Sequence, residues 1–491
     1  MNITAISAFI LYLVFVMGIA FWSMYKSRGN GSGEYFLAGR KMGKWVTALS
    51  AQTSDMSAWL LMAFPASILA FGLGKTWIAI GLLIGTYLNW LIVAIRLRRF
   101  TKAANDAITI PEYLTNRFLS QSKVLQIVCA VVFLVFFTVY VASGVRAGGT
   151  VLHSLTGIPE MPAFIIFTFF ILTYIFIGGF AAISRADFFQ GMLMLVAILA
   201  APICVFLTQN LDFSKLAAND PNYFNLLPSG QLDYESVISI LGDLAWGLGY
   251  FGMPHIITKF MAIKKSKDLV FARRIGMTWI TLALTAAVCV GLVGRAYLPH
   301  LVEAGSERVF IEMVTSVFPG FIAGILLSAI VAAAMSTADS QLLVASSSVT
   351  NDIYKPIVRK GKDDKNVVWV GRGVVALLAV IAFIIAINPD TGIMQLVSYA
   401  WAGFGAAFGP VIILSLYWKR FTYKGAIAGI LSGSGTVALW IAFCSGTGIY
   451  ELLPGFIIAF AASVIVSLID KAPSKEVEEL YEKALDPNAE D

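Results

Sequence analysis

Of the chain's 491 residues, 58% are hydrophobic and only 13% are charged, against roughly 25% charged in soluble domains, which excludes a water-soluble globule. The formal net charge of +6 is divided among several loops and forms no basic domain, which argues against a nucleic-acid-binding protein.

A membrane helix needs about 20 mostly apolar residues, and about thirteen stretches of the chain meet that need. The first, 5–25, has no basic segment ahead of it and is followed by Lys26 and Arg28, not by a small-residue cleavage site, so it reads as a retained helix. The second, 45–73, carries Ser50, Gln52, Thr53, Ser54, Asp55 and Ser57, then Pro65. Plainer apolar spans follow at 77–95, 124–151, 163–180 and 188–207. The seventh, 237–260, holds Asp243, Trp246, Gly247, Gly249, Tyr250, Gly252 and Pro254. After 277–298 comes the ninth, 309–349, with the polar run Met335 to Gln341 and a later Ser346 to Ser348. Spans 367–387, 394–418, 426–443 and 453–469 complete the set.

Cys129, Cys204, Cys289 and Cys444 lie in apolar runs without paired spacing and read as small buried hydrophobes. Three scattered histidines give no ligand pattern for a metal centre. Of 35 Lys and Arg residues, only Lys75, Arg146, Lys215, Arg295 and Arg308 follow even-numbered spans. Because basic loops stay on the cytoplasmic side, the amino terminus is expected outside and the carboxy terminus inside. The acidic tail after Lys471 reads as a short solvated cytoplasmic extension.

Polar and helix-breaking residues at membrane depth are tolerated where backbone is buried in protein or lines a cavity. Interrupted helices at matching positions of two halves point to a transporter binding site. With the first span set aside, spans two to six and seven to eleven form two sets of five, each opening with a broken helix. Five is odd, so the two sets are inverted relative to one another. The expected organisation is a peripheral helix and loop at 1–40, a transport core at 41–418 (repeats about 41–210 and 232–418), two peripheral helices at 419–470 and a tail at 471–491. The plainer alternative gives the seventh-span glycines a packing role and places Asp55 in an aqueous vestibule.

On a helix, residues 333, 336, 337 and 340 share one face. The hydroxyls of Ser336 and Thr337, the carbonyl of Ala333 and carbonyls freed in the second span would make the all-oxygen site that a hard monovalent cation favours. Alternatively, such hydroxyls bond back to their own helix or knit helices together.

The chain resembles the solute:sodium symporter family on its proline-carrying branch. The matching stretches are Phe36-Leu37-Ala38-Gly39-Arg40, Leu49-Ser50-Ala51 through Ser54-Asp55-Met56-Ser57, Tyr174 with Ile177-Gly178-Gly179-Phe180, Trp246 through Gly252 with Pro254-His255, and Met335-Ser336-Thr337. The chain has Met253, Ala58 and Thr53 where the family usually has Gln, Gly and a small apolar residue.

The resemblance implies an all-α membrane protein of about thirteen helices, with a LeuT-type five-plus-five inverted repeat and extra peripheral helices in a bacterial cytoplasmic membrane. It implies a sodium ion, Na+, held by carbonyls of Thr53, Met56 and Ala333 and hydroxyls of Ser336 and Thr337. Asp55 would be the carboxylate that sodium affinity needs, and Arg40 a coupling residue on the cytoplasmic side. The pocket for L-proline would be formed by Tyr140, Trp246, Tyr250 and Pro254, with Ser57 near it. A zwitterionic imino acid suits a cavity with half-helix ends and aromatic rings.

No nucleophile with a positioned base is evident, so an enzyme is not expected. Neither a nucleic acid nor an obligate protein partner is expected. A related solute such as betaine, ectoine or another amino acid is the alternative cargo, and a sensor or channel on the same scaffold the alternative class. By the same resemblance, Asp187, Asp339 and Ser340, beside Ser336, form a possible second cation station. The competing reading pairs Asp187 with Arg185 at the membrane surface and leaves Asp339 solvated.

Overall fold

The computed structural model describes residues 3–26, 37–177, 180–214, 216, 220–302, 305–358, 367–388 and 391–486. Phe36, Gly178, Gly179 and Lys215 lie outside the described residues. Among the described residues the structure is helical, and the only β pairing is a lone bridge between Met42 and Ile263. Lipid offers no hydrogen-bond partner, so apolar runs of this length close their backbone bonds within helices.

Eleven helices among the described residues are long and apolar enough to cross a membrane, or twelve with the bent pair Tyr234–Phe251 and Pro254–Met261. One of the eleven is the 46-residue stretch Ala58–Ala103, which as a single helix would run about 69 Å, over twice the hydrocarbon thickness. The chain turns at Gly72, φ 75°, and comes back. Met42 N donates to Ala262 O (3.1 Å) and Arg98 Nε to Ile263 O (2.9 Å), so the start of the second span and the end of the third share one end of the molecule. Counted as two spans, this hairpin brings the total to thirteen.

Both expected breaks are present. In the second span, Lys44–Met56 stops at Ser57 (φ 44°), a 3-10 turn covers Ala58–Leu60, and Ala63–Phe71 resumes. Ser57 Oγ accepts from Trp59 N at 3.1 Å, the local bond by which serine competes with a helix. In the seventh span, Tyr234–Ala245 passes into the 3-10 turn Trp246–Phe251 and then bends by 41° into Pro254–Met261. Pro254 forces Met253 into the extended region and opens the second half-helix from its first position.

The ninth and eleventh spans, Gly320–Ser347 and Ile393–Tyr417, are mostly buried, whereas the first, twelfth and thirteenth turn most of their surface outward. The ninth span begins later than expected. Val309–Val317 is a separate short helix, because Phe318 is extended ahead of Pro319. The sixth span begins earlier, at Phe180, taking Ser184, Arg185 and Asp187 into the helix. The tail is not simply solvated: Lys475–Leu485 is a helix that buries Val477, Tyr481 and Ala484. Of the four cysteines only Cys129 is wholly buried, and Cys289 is exposed on the surface of its span.

Candidate functional site

The breaks in the second and seventh spans lie side by side at the centre of the molecule. A helix leaves its last four carbonyls without intrahelical partners, and in Lys44–Met56 these belong to Thr53, Ser54, Asp55 and Met56. Thr53 O accepts from Ser336 Oγ (3.0 Å) and Thr337 Oγ1 (3.4 Å), while Ser336 Oγ also lies 3.1 Å from Ala333 O. Four of the five expected ion ligands are thereby brought into one oxygen cluster. Met56, the fifth, ends the half-helix beside it and lines the adjoining cavity.

That cavity measures about 10 Å³ and is walled by Asp55, Met56, Trp59, Leu82, Tyr140, Trp246, Val397 and Trp401. It has room for about one water, so the site is occluded. Tyr140 OH donates to Asp55 O at 3.3 Å, and the Tyr250 hydroxyl donates to the Asp55 carboxylate. Tyr250 also meets Trp401 edge-on, with centroids 5.2 Å apart. Asp55 thus touches both tyrosines from the end of the half-helix that presents the ion cluster. Ser57 and Pro254 do not line the cavity; they shape the two breaks.

A second, larger cavity of about 550 Å³ lies on the other side of Trp246, lined among others by Lys75, Asp243, Met394, Tyr450 and Glu451. Lys75 Nζ sits 3.1 Å from Asp243 Oδ1 in its wall. Trp246 belongs to both cavities and is their partition. Its ring stacks on Trp59 (5.7 Å), Tyr450 (5.4 Å) and Trp401 (6.2 Å), and its carbonyl, freed by the break, accepts from Trp401 Nε1 at 2.8 Å. Trp59, Trp401 and Tyr450 escaped the sequence reading because they come from three distant segments, and nothing in a lone aromatic announces such a stack.

Arg40 is buried at the end of the molecule that also carries Lys102 and Lys264. Its guanidinium donates to Thr101 Oγ1 (3.2 Å), Met261 O (2.7 Å) and Ala107 O (2.7 Å), and Nε lies 2.8 Å from Asp106 Oδ1. Burial pushes it down to about 10, so it keeps its charge at neutral pH. It ties the close of the third span to the last turn of the broken seventh.

Asp187 is not at the surface and does not pair with Arg185, whose guanidinium lies over the Trp22 ring. It is fully buried, and its Oδ2 accepts from Ser50 Oγ (2.5 Å), Ser54 Oγ (3.4 Å) and Lys259 Nζ (3.2 Å). Ser340 joins the same group, at 3.0 Å from both Lys259 Nζ and Ser54 Oγ. Asp339 is equally buried, contrary to the solvated alternative, and neither of its carboxylate oxygens accepts a bond from another side chain. The count of basic residues by loop groups Lys259 with the others and does not single it out. The available signal was its position within the apolar stretch 237–260, where an ammonium needs a partner.

Two broken helices from inverted halves, freed carbonyls facing hydroxyls and an occluded cavity beneath a vestibule define an ion-coupled secondary transporter. The sequence profile of the Sodium:solute symporter family matches residues 35–433, and the chain belongs to that family. It is 43% identical over 488 residues to the osmoregulated proline transporter OpuE of Bacillus subtilis, covering 98% of each chain. It is 44% identical over 458 residues to the sodium/proline symporter of Escherichia coli, covering 92% of this chain and 90% of that one. Its fold matches that of a sodium-coupled sialic acid symporter, solved in a substrate-bound outward-open state, with a TM-score of 0.81 at 16% identity over 96% of this chain and 99% of that one.

Proposed function

We propose that this chain takes up L-proline together with Na+ by alternating access across the bacterial cytoplasmic membrane, with its amino terminus outside and its carboxy terminus in the cytoplasm. The observation that carries the reading is the oxygen cluster of Ser336, Thr337, Thr53 and Ala333 against the break of the second span, one residue pair away from an aromatic-walled cavity. Thr53, Met56 and Ala333 supply carbonyls to the ion, and Ser336 and Thr337 supply hydroxyls. Asp55 couples the two sites, since its backbone and carboxylate are held by Tyr140 and Tyr250. Tyr140 and Trp246 receive the pyrrolidine ring, Tyr250 orders the wall, and Ser57 and Pro254 hold the breaks open. Arg40 couples by locking the cytoplasmic ends of the third and seventh spans. The names of the proline-transporting relatives support the choice of cargo. The asymmetry of Lys and Arg supports the orientation.

One sodium moving with a neutral zwitterion carries one charge inward. A 100 mV potential then supplies about 2.3 kcal/mol, and a tenfold sodium gradient adds about 1.4 kcal/mol, enough together for several-hundredfold accumulation. Labelled proline uptake into proteoliposomes, with sodium, proton and potential gradients imposed separately, tests this. Uptake is expected to need sodium and to quicken under a valinomycin-imposed inside-negative potential. Proline flux indifferent to sodium and to potential contradicts the reading, and competition by betaine or ectoine in place of proline redirects the cargo.

A further inference from the structure

Two buried carboxylates and one buried ammonium meet where the second, sixth, seventh and ninth spans cross. Lys259 stands in the last turn of Pro254–Met261 with its side chain 2% exposed, opposite Asp187 at 0%. An ammonium has three donors and no acceptor. Here Nζ reaches three oxygens: Ser340 Oγ at 3.0 Å, Asp187 Oδ2 at 3.2 Å and Ser184 Oγ at 3.4 Å. A fourth side is closed by the Phe180 ring, whose centroid lies 4.7 Å away. Ser50 and Ser54 complete the hydroxyl shell around the same carboxylate. One carboxylate and a ring of serine hydroxyls is the donor set that a bare monovalent cation takes, yet a cation of the protein fills it.

We infer that Lys259 is the resident cation of the second station and sets the ion stoichiometry, so that one sodium, and not two, accompanies each substrate. This rests on the sodium-coupled reading above. An ammonium tethered to the seventh span satisfies Asp187 without leaving the protein, so it adds nothing to the driving force and competes with sodium for the same oxygens. Asp339, one helix residue before Ser340, lies within electrostatic reach of Asp187 and Lys259. Removing the lysine charge leaves the Asp187 carboxylate and its ring of serine hydroxyls without a cation, a site ready for a second ion.

The test uses the full chain in proteoliposomes, comparing sodium activation of proline uptake with the 22Na-to-proline flux ratio. Wild type is expected to give a Hill coefficient and a flux ratio of about one, and Lys259→Gln to move both toward two, the number of sites then open. Lys259→Arg, which keeps the cation, stays near one. The double variant Asp187→Asn with Lys259→Gln, which removes the carboxylate as well, returns to about one. Equilibrium 22Na binding to purified protein gives the same answer without transport: one ion per wild-type chain and two per Lys259→Gln chain. The assignment is overturned by Lys259→Gln binding a single ion, or by wild type binding two, the latter deciding the matter whichever variants fold. Failure of the sodium-coupled reading looks different: wild type then binds no sodium and its proline uptake ignores the ion.

Discussion

Thr337 and Ser336 both aim hydroxyls at the Thr53 carbonyl, so each is a proposed ligand of the ion whose loss is expected to leave the fold nearly intact. Deleting one hydroxyl removes an interaction of about 1 kcal/mol, or up to about 3 where charge is involved. Thr337→Ala is therefore expected to raise the half-saturating sodium concentration by roughly tenfold or more, with little change in the amount of protein in the membrane. Sodium-activation curves at saturating proline check this. Trp246→Ala, in contrast, removes the partition between cavity and vestibule, and is expected to weaken proline while half-saturating sodium moves little. An unchanged sodium curve for Thr337→Ala would detach the oxygen cluster from the ion. At this scale the hydroxyl pair was legible in the sequence, because helical spacing alone aligns Ala333, Ser336 and Thr337. Lys259 was not, since a lysine near a span's end looks like any other basic loop residue until its partner from another span is known.

The third and seventh spans meet backbone to backbone. A Cβ added at Gly85 would stand 2.1 Å from Gly247 O, one at Gly247 would stand 2.2 Å from Gly81 O, and one at Gly81 would stand 2.5 Å from Leu244 O. No side chain fits between these helices, and the obstacle is main chain, which cannot swing aside as a flexible side chain can. Gly85→Ala and Gly247→Ala are accordingly expected to force the pair apart, at a cost of about 1–3 kcal/mol, and to displace the 3-10 turn that carries Trp246. Melting temperature in detergent and initial uptake rate check this, and wild-type values for both variants would mean that the two helices part freely. A control such as Gly435→Ala meets open space and is expected to be silent. The breaks themselves were readable from serine, glycine and proline at membrane depth. The true start of the sixth span was not: Ser184 and Asp187 read as loop because a hydropathy window cannot know that Lys259 will answer the carboxylate.

For the molecule as a whole, hydropathy and basic residues gave thirteen spans and a direction, and the described residues fold into that number. What composition could not supply was how the ends are closed. Arg40 binds the tip of the seventh span at one end, and the helix Lys475–Leu485 packs nearby, with Lys419 Nζ at 3.0 Å from Glu478 Oε2 and 2.7 Å from Glu482 Oε1. The proposed orientation puts this end in the cytoplasm. A cysteine introduced at Lys475 in a background lacking the four native cysteines is expected to react with a membrane-impermeant maleimide only after cells are opened. Labelling of intact cells at that position would invert the topology.

Trp59 and Trp401 each stand face to face with Trp246 within 6.2 Å, and the Tyr450 ring stacks on Trp246 as well. Indoles this close share their electronic excitation, and the coupling depends steeply on ring separation and tilt. A solute passing the partition has to part these rings, so each turnover is also an optical event. Opening can be followed in the near-ultraviolet circular dichroism of unlabelled protein, with the chain's own chromophores keeping time.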